Sequence, residues 1–409
     1  MQYCINMHLC HRKEVLGMYE KEVKEKTSQI LPKVVGWRRH FHEYPEVSGA
    51  EKETSLYIQQ VLTELGIPFE TGFFGTAVLG TIKGDLPGKT VALRADMDAL
   101  PVTELTGLPF ASKNKGVMHA CGHDGHMSIL LGAAAVLQSM KSQLHGTVKL
   151  VFQPAEEEAS IGGGRHIAAS GKLDDIEEIY GLHVWPELPV GQVGLKKGNL
   201  MAASDRFYVH VKGKSTHAAQ PHNGTDALVA AAHFIIDVQT LISREMNPME
   251  NVVCTIGLMN AGTRYNVGVE DAYLEGTVRT YTPALRDKME QRLGELLKGL
   301  DYTFGTHSEL NYVRGHSATI NTPEKIDFLD EVAKTYIGKE HITHPEFPSM
   351  CAEDFSYYLE KFPGAFLWLG TGKEETPALH NASFALDESI LPLGIIMEAG
   401  ACLETLAKE

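Results

Sequence analysis

Two textures of apolar and polar positions divide the chain. From Glu20 to His40, and again from Glu51 to Leu65, charged residues alternate with apolar ones at helical spacing, which predicts two exposed amphipathic helices; Gly66 and Pro68 close the second. TAVLGTIK (76–83) and TVALRAD (90–96) flank a GDLPGK turn and read as strands. SILLGAAAVLQSM (128–140) is apolar nearly all round, as a buried helix is. TVKLVFQP (147–154) and EIYGLHV (178–184) are continuous apolar runs, the pattern of a parallel sheet covered on both faces.

Near Ala203 the texture changes. DRFYVHVKG (205–213), NVVCTIGLM (251–259) and AYLEGTVRTY (272–281) alternate, and they are interleaved with helical patterns from Asp226 to Ile242 and from Ala284 to Leu300, before ELNYVRG (309–315). The order β, α, β, β, α, β describes a split βαβ unit, ferredoxin-like in plan. After Pro323 a helix, the strand AFLWLG (365–370) and a helix ending at Leu406 return to the first texture. The expected architecture is therefore α/β with two domains. A large domain with a mainly parallel central sheet occupies 19–202 and 316–409, a smaller α+β insert occupies 203–315, and residues 1–18 form a weakly structured extension.

The chain has 409 residues, 43% of them hydrophobic and 22% charged, and its 37 basic and 52 acidic residues leave a net charge of −15. That balance, without a basic patch, argues against nucleic acid or an anionic membrane surface as partner. No uninterrupted apolar run approaches the roughly 18 residues of a membrane helix, and the first residues lack the order of a signal peptide. Six scattered cysteines do not form a disulfide framework, so a reducing cytoplasm is the expected compartment. Nineteen histidines would suit a metal protein, yet most are ordinary surface or hydrogen-bonded residues.

Position singles out a few of them. Four groups of metal-binding or acid–base residues follow predicted strands, where loops at the carboxyl ends of a parallel sheet build sites. They are Asp96 and Asp98 after VALRA; His119, Cys121, His123, Asp124 and His126 in HACGHDGH; Glu156, Glu157 and Glu158 after VFQPA; and His183 after EIYGL. Thiolate, imidazole and carboxylate together suit zinc. The HACGHDGH segment also reads as a glycine-rich loop capping the next helix. Adjacent carboxylates repel unless a cation lies between them or one is protonated, which fits a ligand beside a general base; the other reading is a solvated acidic loop.

The strings LRADMDALP, MHACGHDGHM, VFQPAEE, GLHVWPELPVG, HAAQPH, LEGTVRT, AEDFSYYL and LHNASF, in this order from about Arg38 to the C-terminus, resemble the M20 metallopeptidases. The resemblance is to their amidohydrolase group of hippurate hydrolases, auxin-conjugate hydrolases and N-acyl-amino-acid deacylases. It implies two divalent metal ions, zinc foremost with manganese, cobalt or nickel as alternatives, on Cys121, His123, Glu157, His183 and His380. Glu156 would be the general base acting on a metal-activated water, and Asp98 would orient the ligands. The insert would be a lid and dimerisation domain whose His217 stabilises the oxyanion, with Arg279 and Asn266 gripping the substrate carboxylate. From the residues alone, His217 also reads as a helix cap and Arg279 as a cross-strand ion-pair partner.

The implied reaction is hydrolysis of a small N-acyl-L-amino acid to a carboxylate and a free amino acid, by a homodimer paired through edge strands and a helix face of the insert. Rival activities are a dipeptidase or an N-acetyl-diaminopimelate deacetylase with the same ligands and, from another class, a metal-free cysteine amidase using Cys121 and His123. Two stretches depart from the family pattern: NVGVEDA (266–272) replaces an NVIP-like string, and EASIGGGR makes a longer loop after QPAEE. Both fall where substrate contacts are expected.

Overall fold

A computed structural model describes residues 17–407; the expected extension at 1–18 lies almost wholly outside them. The described residues form two compact units, one made of those up to 200, 320–347 and those from 354 onwards, the other of 201–319 and 348–353.

The first unit is built on an eight-stranded sheet. Its strands are β1 (Phe69–Thr71), β2 (Val78–Lys83), β3 (Leu86–Asp96), β4 (His145–Gln153), β5 (Glu178–Pro189), β6 (Val193–Gly194), β11 (Ile342–Thr343) and β12 (Gly364–Gly372), in the order β1-β2-β4-β3-β5-β12-β6-β11. The central pairs β4-β3, β3-β5 and β5-β12 are parallel, as their continuous apolar runs predict. The register pairs Asp96 with Gln153, so the loops carrying Asp98 and Glu156 leave one edge side by side. β5 runs on to Pro189, which places His183 within the strand and not just after it.

Five long helices, α1 (Glu20–Glu43), α2 (Lys52–Glu64), α3 (His123–Ser139), α7 (Pro323–Tyr336) and α8 (Leu391–Leu406), and the short α4 (Gly163–Ala169) pack in this unit. α1 is less exposed than its charge predicts, because Val23, Val34, Trp37 and Phe41 recur at helical spacing and are buried, with Arg38 and His42 on the same face. α3 begins at His123, five residues before the expected start at Ser128, since 128 − 123 = 5. Gly122 makes the early start by turning left-handed at φ 87°, and a Cβ there would lie 2.4 Å from Val184. Leu130, Leu131 and Leu137 of α3 are fully buried, each contributing about 1.5–3 kcal/mol of apolar burial.

The second unit pairs β7 (Ala203–Lys212), β8 (Val252–Ala261), β9 (Asp271–Thr280) and β10 (His307–Arg314) in the order β10-β7-β9-β8, antiparallel throughout. Alternate residues Phe207, Val209 and Val211 of β7 meet Phe234 and Val238 of α5 (Ala227–Thr240) and Met289, Leu293 and Leu297 of α6 (Pro283–Phe304) in one core. The chain order β, α, β, β, α, β is the one the alternation predicts.

Among the described residues two stretches, Ala227–Glu245 and Glu388–Leu406, are long and apolar enough to cross a membrane, although neither is an uninterrupted apolar run. The second is a core helix, largely buried in the first unit. The four cysteines among the described residues form no disulfide.

Candidate metal centre

The buried N-terminus of α3, the loop after β4, the middle of β5 and the segment after β12 bring six of the predicted side chains together. Cys121, His123 and His183 offer donor atoms within 4.8 Å of one another, as do Cys121, Glu157 and His380, and also His123, Glu156 and Glu157. The Cys121 Sγ lies 3.4 Å from His183 Nε2. Glu157 Oε1 is 3.3 Å from His380 Nε2 and 3.9 Å from His123 Nε2. Glu156 is buried, which excludes the solvated-loop reading of the acidic string.

His123 and His183 are each oriented by the other ring nitrogen. His123 Nδ1 donates to the Asp98 carbonyl at 2.8 Å, and His183 Nδ1 donates to the Val184 carbonyl at 2.6 Å. Both Nε2 atoms are thereby turned towards the cluster. His380 adopts φ 66°, with its N–H held by the Ala120 carbonyl at 2.8 Å. Asp98 Oδ2 accepts the Ser48 hydroxyl at 2.6 Å and the Glu157 N–H at 2.9 Å. Asp98 thus fixes both His123 and the backbone of Glu157.

The electrostatics fit cations. Burial, reinforced by Glu157, Glu156 and Asp96, pushes the Cys121 thiol well up, so without a cation it is a poor nucleophile. Burial holds His183 well below the usual histidine range, and therefore neutral, the form that ligates a metal. His123 is driven the other way: burial opposes its charge, but Asp96, Asp98 and Glu157 outweigh it and raise its pKa to about 10. The buried atoms His123 Nε2 and Glu157 Oε1 have no hydrogen-bond partner. Orphaned donor atoms of mixed thiol, imidazole and carboxylate character are what divalent cations such as zinc complete.

Asp96 and His126, noted in the sequence without a role, have one here. His126 Nδ1 donates to Asp96 Oδ1 at 2.6 Å while its Nε2 accepts the Val184 N–H at 2.9 Å. Arg94 pairs with Asp96 at 2.8 Å and with Asp354 at 2.6 Å, all three fully buried. The available signal was an arginine inside the apolar run VALRAD, since a buried guanidinium requires buried counter-charges.

The remaining candidates belong to the second unit. The Ala219 N–H donates to His217 Nδ1 at 3.1 Å, which leaves the exposed Nε2 as the protonated donor of the neutral ring. The following helix α5 is capped by Asp226, not by His217. Asn266 lies beside His217, its carbonyl accepting the Ala218 N–H at 3.2 Å, and its buried Oδ1 has no partner. Arg279 is half-buried and hydrogen-bonds Thr277 and the Val278 carbonyl; burial lowers its pKa. No carboxylate among the described residues forms an ion pair with it, so the cross-strand reading of Arg279 is not what the structure has.

The model of Peptidase family M20/M25/M40 matches residues 92–402. The chain belongs to the M20 peptidase family. It is 39% identical over 378 residues to the N-acetyl-L-cysteine deacetylase of Bacillus subtilis, covering 92% of this chain and 89% of that one. It is 40% identical over 365 residues to the N-acetyldiaminopimelate deacetylase of Streptococcus sanguinis, covering 88% and 94%. The crystal structure of a Bacillus subtilis dinuclear metal binding peptidase from the M20 family superimposes with a TM-score of 0.82 at 35% identity, over 93% of this chain and 100% of that one. This M20 chain is a metal-dependent hydrolase of amide bonds. That class, and the raised Cys121 thiol, set aside the metal-free cysteine amidase.

Proposed function

We propose that this M20 enzyme hydrolyses small N-acyl-L-amino acids, with two divalent cations held by Cys121, His123, Glu157, His183 and His380. The observation that carries the reading is the packing of these five side chains with Glu156 into overlapping triads, in which the buried His123 Nε2 and Glu157 Oε1 lack hydrogen-bond partners. Bound there, divalent cations lower the pKa of a water and polarise a carbonyl. Glu156 takes the proton of the attacking water and delivers it to the amide nitrogen as the C–N bond breaks, releasing a carboxylate and an amine. Asp98 keeps His123 and the Glu157 backbone in place throughout.

His217 is assigned the developing oxyanion, which its Nε2–H suits. Arg279 is assigned the substrate's α-carboxylate, because a guanidinium fork without a carboxylate partner matches one, and Asn266 joins it through its side-chain NH2, the donor half of the amide. Relatives named as N-acetyl-L-cysteine and N-acetyldiaminopimelate deacetylases support an N-acetyl-amino acid, and the diaminopimelate derivative is the second reading. Two copies pair through the second unit: β8 is an open edge of its sheet, and Leu228, Val229 and Ile236 of α5 are exposed.

The test is a hydrolysis panel on protein reconstituted with zinc or manganese. It comprises N-acetyl-L-cysteine, N-acetyl-L-methionine, N-acetyl-diaminopimelate, N-benzoylglycine and an unblocked dipeptide. Turnover of N-acyl substrates above the dipeptide supports the reading; turnover of the dipeptide alone overturns it in favour of a dipeptidase.

A further inference from the structure

Between α1 and α2 the chain passes beneath the site as Glu46-Val47-Ser48-Gly49-Ala50-Glu51. This short segment touches both loops that carry the reactive carboxylates. The Glu46 carbonyl accepts the Ala99 N–H at 2.8 Å, and the Ser48 hydroxyl donates to Asp98. Glu51 reaches the other loop. Its side chain is completely buried; Oε1 accepts the N–H groups of Ala155 at 3.0 Å and Gly49 at 2.8 Å, and Oε2 accepts the Thr76 hydroxyl at 2.9 Å.

Two facts set this contact apart from ordinary packing. Glu51 occupies the N-cap position of α2, yet its carboxylate makes no capping bond to that helix; it is committed instead to a backbone amide 104 residues away. That amide belongs to Ala155, which has φ 55°. A left-handed alanine costs about 1–2 kcal/mol and persists only where its surroundings impose it. Ala155 and His380 are the two non-glycine residues with positive φ among the described residues. His380 is an assigned ligand, and Ala155 immediately precedes Glu156 and Glu157.

We infer that Glu51 is a positioning residue for hydrolysis, holding Ala155 in its left-handed turn so that Glu156 is presented as base and Glu157 as ligand. The inference rests on the assignment of Glu156 proposed above. The turn is clamped from two sides: Glu51 holds the Ala155 N–H, and Asp98, itself held by Ser48, takes the Glu157 N–H. Without Glu51, Ala155 relaxes towards negative φ, which re-aims the next side chain. A displacement of about 1 Å at a reacting group costs up to about 10²-fold in rate.

The test compares Glu51→Ala, Glu51→Gln and Glu156→Gln, all loaded with zinc and assayed on the best substrate of the panel above. Metal stoichiometry and amide hydrogen exchange of the peptide spanning Gln153 to Glu158 are measured on the same proteins. Glu51→Ala is expected to lower kcat about 10- to 100-fold with KM changed less than about threefold, to retain its metal, and to exchange faster in that peptide. Glu51→Gln keeps an acceptor oxygen for Ala155 and Gly49 while its NH2 meets a Thr76 hydroxyl that can rotate to accept, so it restores most of kcat and of the protection. Should Glu51→Ala not fold, Glu51→Asp, shorter by one methylene, is expected to show the same loss. A Glu51→Ala protein (or Glu51→Asp in its place) with wild-type kcat and exchange, or a Glu51→Gln protein as impaired as Glu51→Ala, overturns the inference. An active Glu156→Gln overturns instead the assignment on which it rests, and the exchange readout tells the two failures apart.

Discussion

The Sγ of Cys121 faces Nε2 of His183 at 3.4 Å, with both residues buried. A protonated thiol and a neutral imidazole gain little from each other at that distance, whereas both bind a soft or borderline divalent cation strongly. Exhaustive chelation is therefore expected to abolish amide hydrolysis, and zinc or manganese to restore it. Cys121→Ala should lower bound metal per chain, measured by elemental analysis. Full activity in chelated protein would contradict this.

His126 carries a second prediction. It joins Asp96 to the Val184 N–H and so fixes the backbone next to His183. His126→Leu removes both bonds at similar volume and is expected to weaken metal binding about 10- to 100-fold, the usual size of such supporting contacts. Competition against a chelator of known affinity measures it; unchanged affinity would make His126 a packing residue.

A third prediction concerns stability. Oε2 of Glu398, on α8, has no hydrogen-bond partner, and burial raises the carboxyl pKa well above the usual range. Cys402, one turn on, interacts with it and is buried and protonated too. Because the folded pKa is the higher one, the folded state binds the extra proton. The contribution of this carboxyl is thus fully present below the unfolded carboxyl pKa of about 4.3 and is lost as pH rises through the folded value. Glu398→Met, which buries no charge, should be more stable by about 1–3 kcal/mol at neutral pH, with an advantage that grows from pH 5 to pH 8. Thermal midpoints of metal-free protein at the two pH values check the sign.

The exposed apolar side chains of α5 make a fourth. Ile236→Glu places a charge on that face and is expected to shift the sedimentation coefficient from dimer to monomer. A variant that sediments as the wild type does would remove this face from the pairing surface.

Much of the architecture was legible because apolar periodicity changes at Ala203 and changes back after Pro323, and because short strings such as VFQPAEE and HACGHDGH join a strand or helix signal to metal-binding residues. The start of α3 was missed because it depends on a left-handed Gly122 packed against Val184, a contact 62 residues away, since 184 − 122 = 62. Ser48 and Glu51 were passed over for the same reason. Nothing in EVSGAE marks it locally, and its purpose appears only when β3 and β4 deliver Asp98 and Ala155 to it. The pairing of Asp96 with His126 likewise depends on a sheet edge that no local pattern encodes.

Glu156 is proposed as the base beside an intact metal cluster, so Glu156→Gln is the most direct measurement. Loaded with zinc and assayed on N-acyl-amino acids, the variant should bind as much metal per chain as the wild type while kcat falls about 10²- to 10⁴-fold, the range for a lost acid–base group. Wild-type turnover by the metal-replete variant would contradict the account.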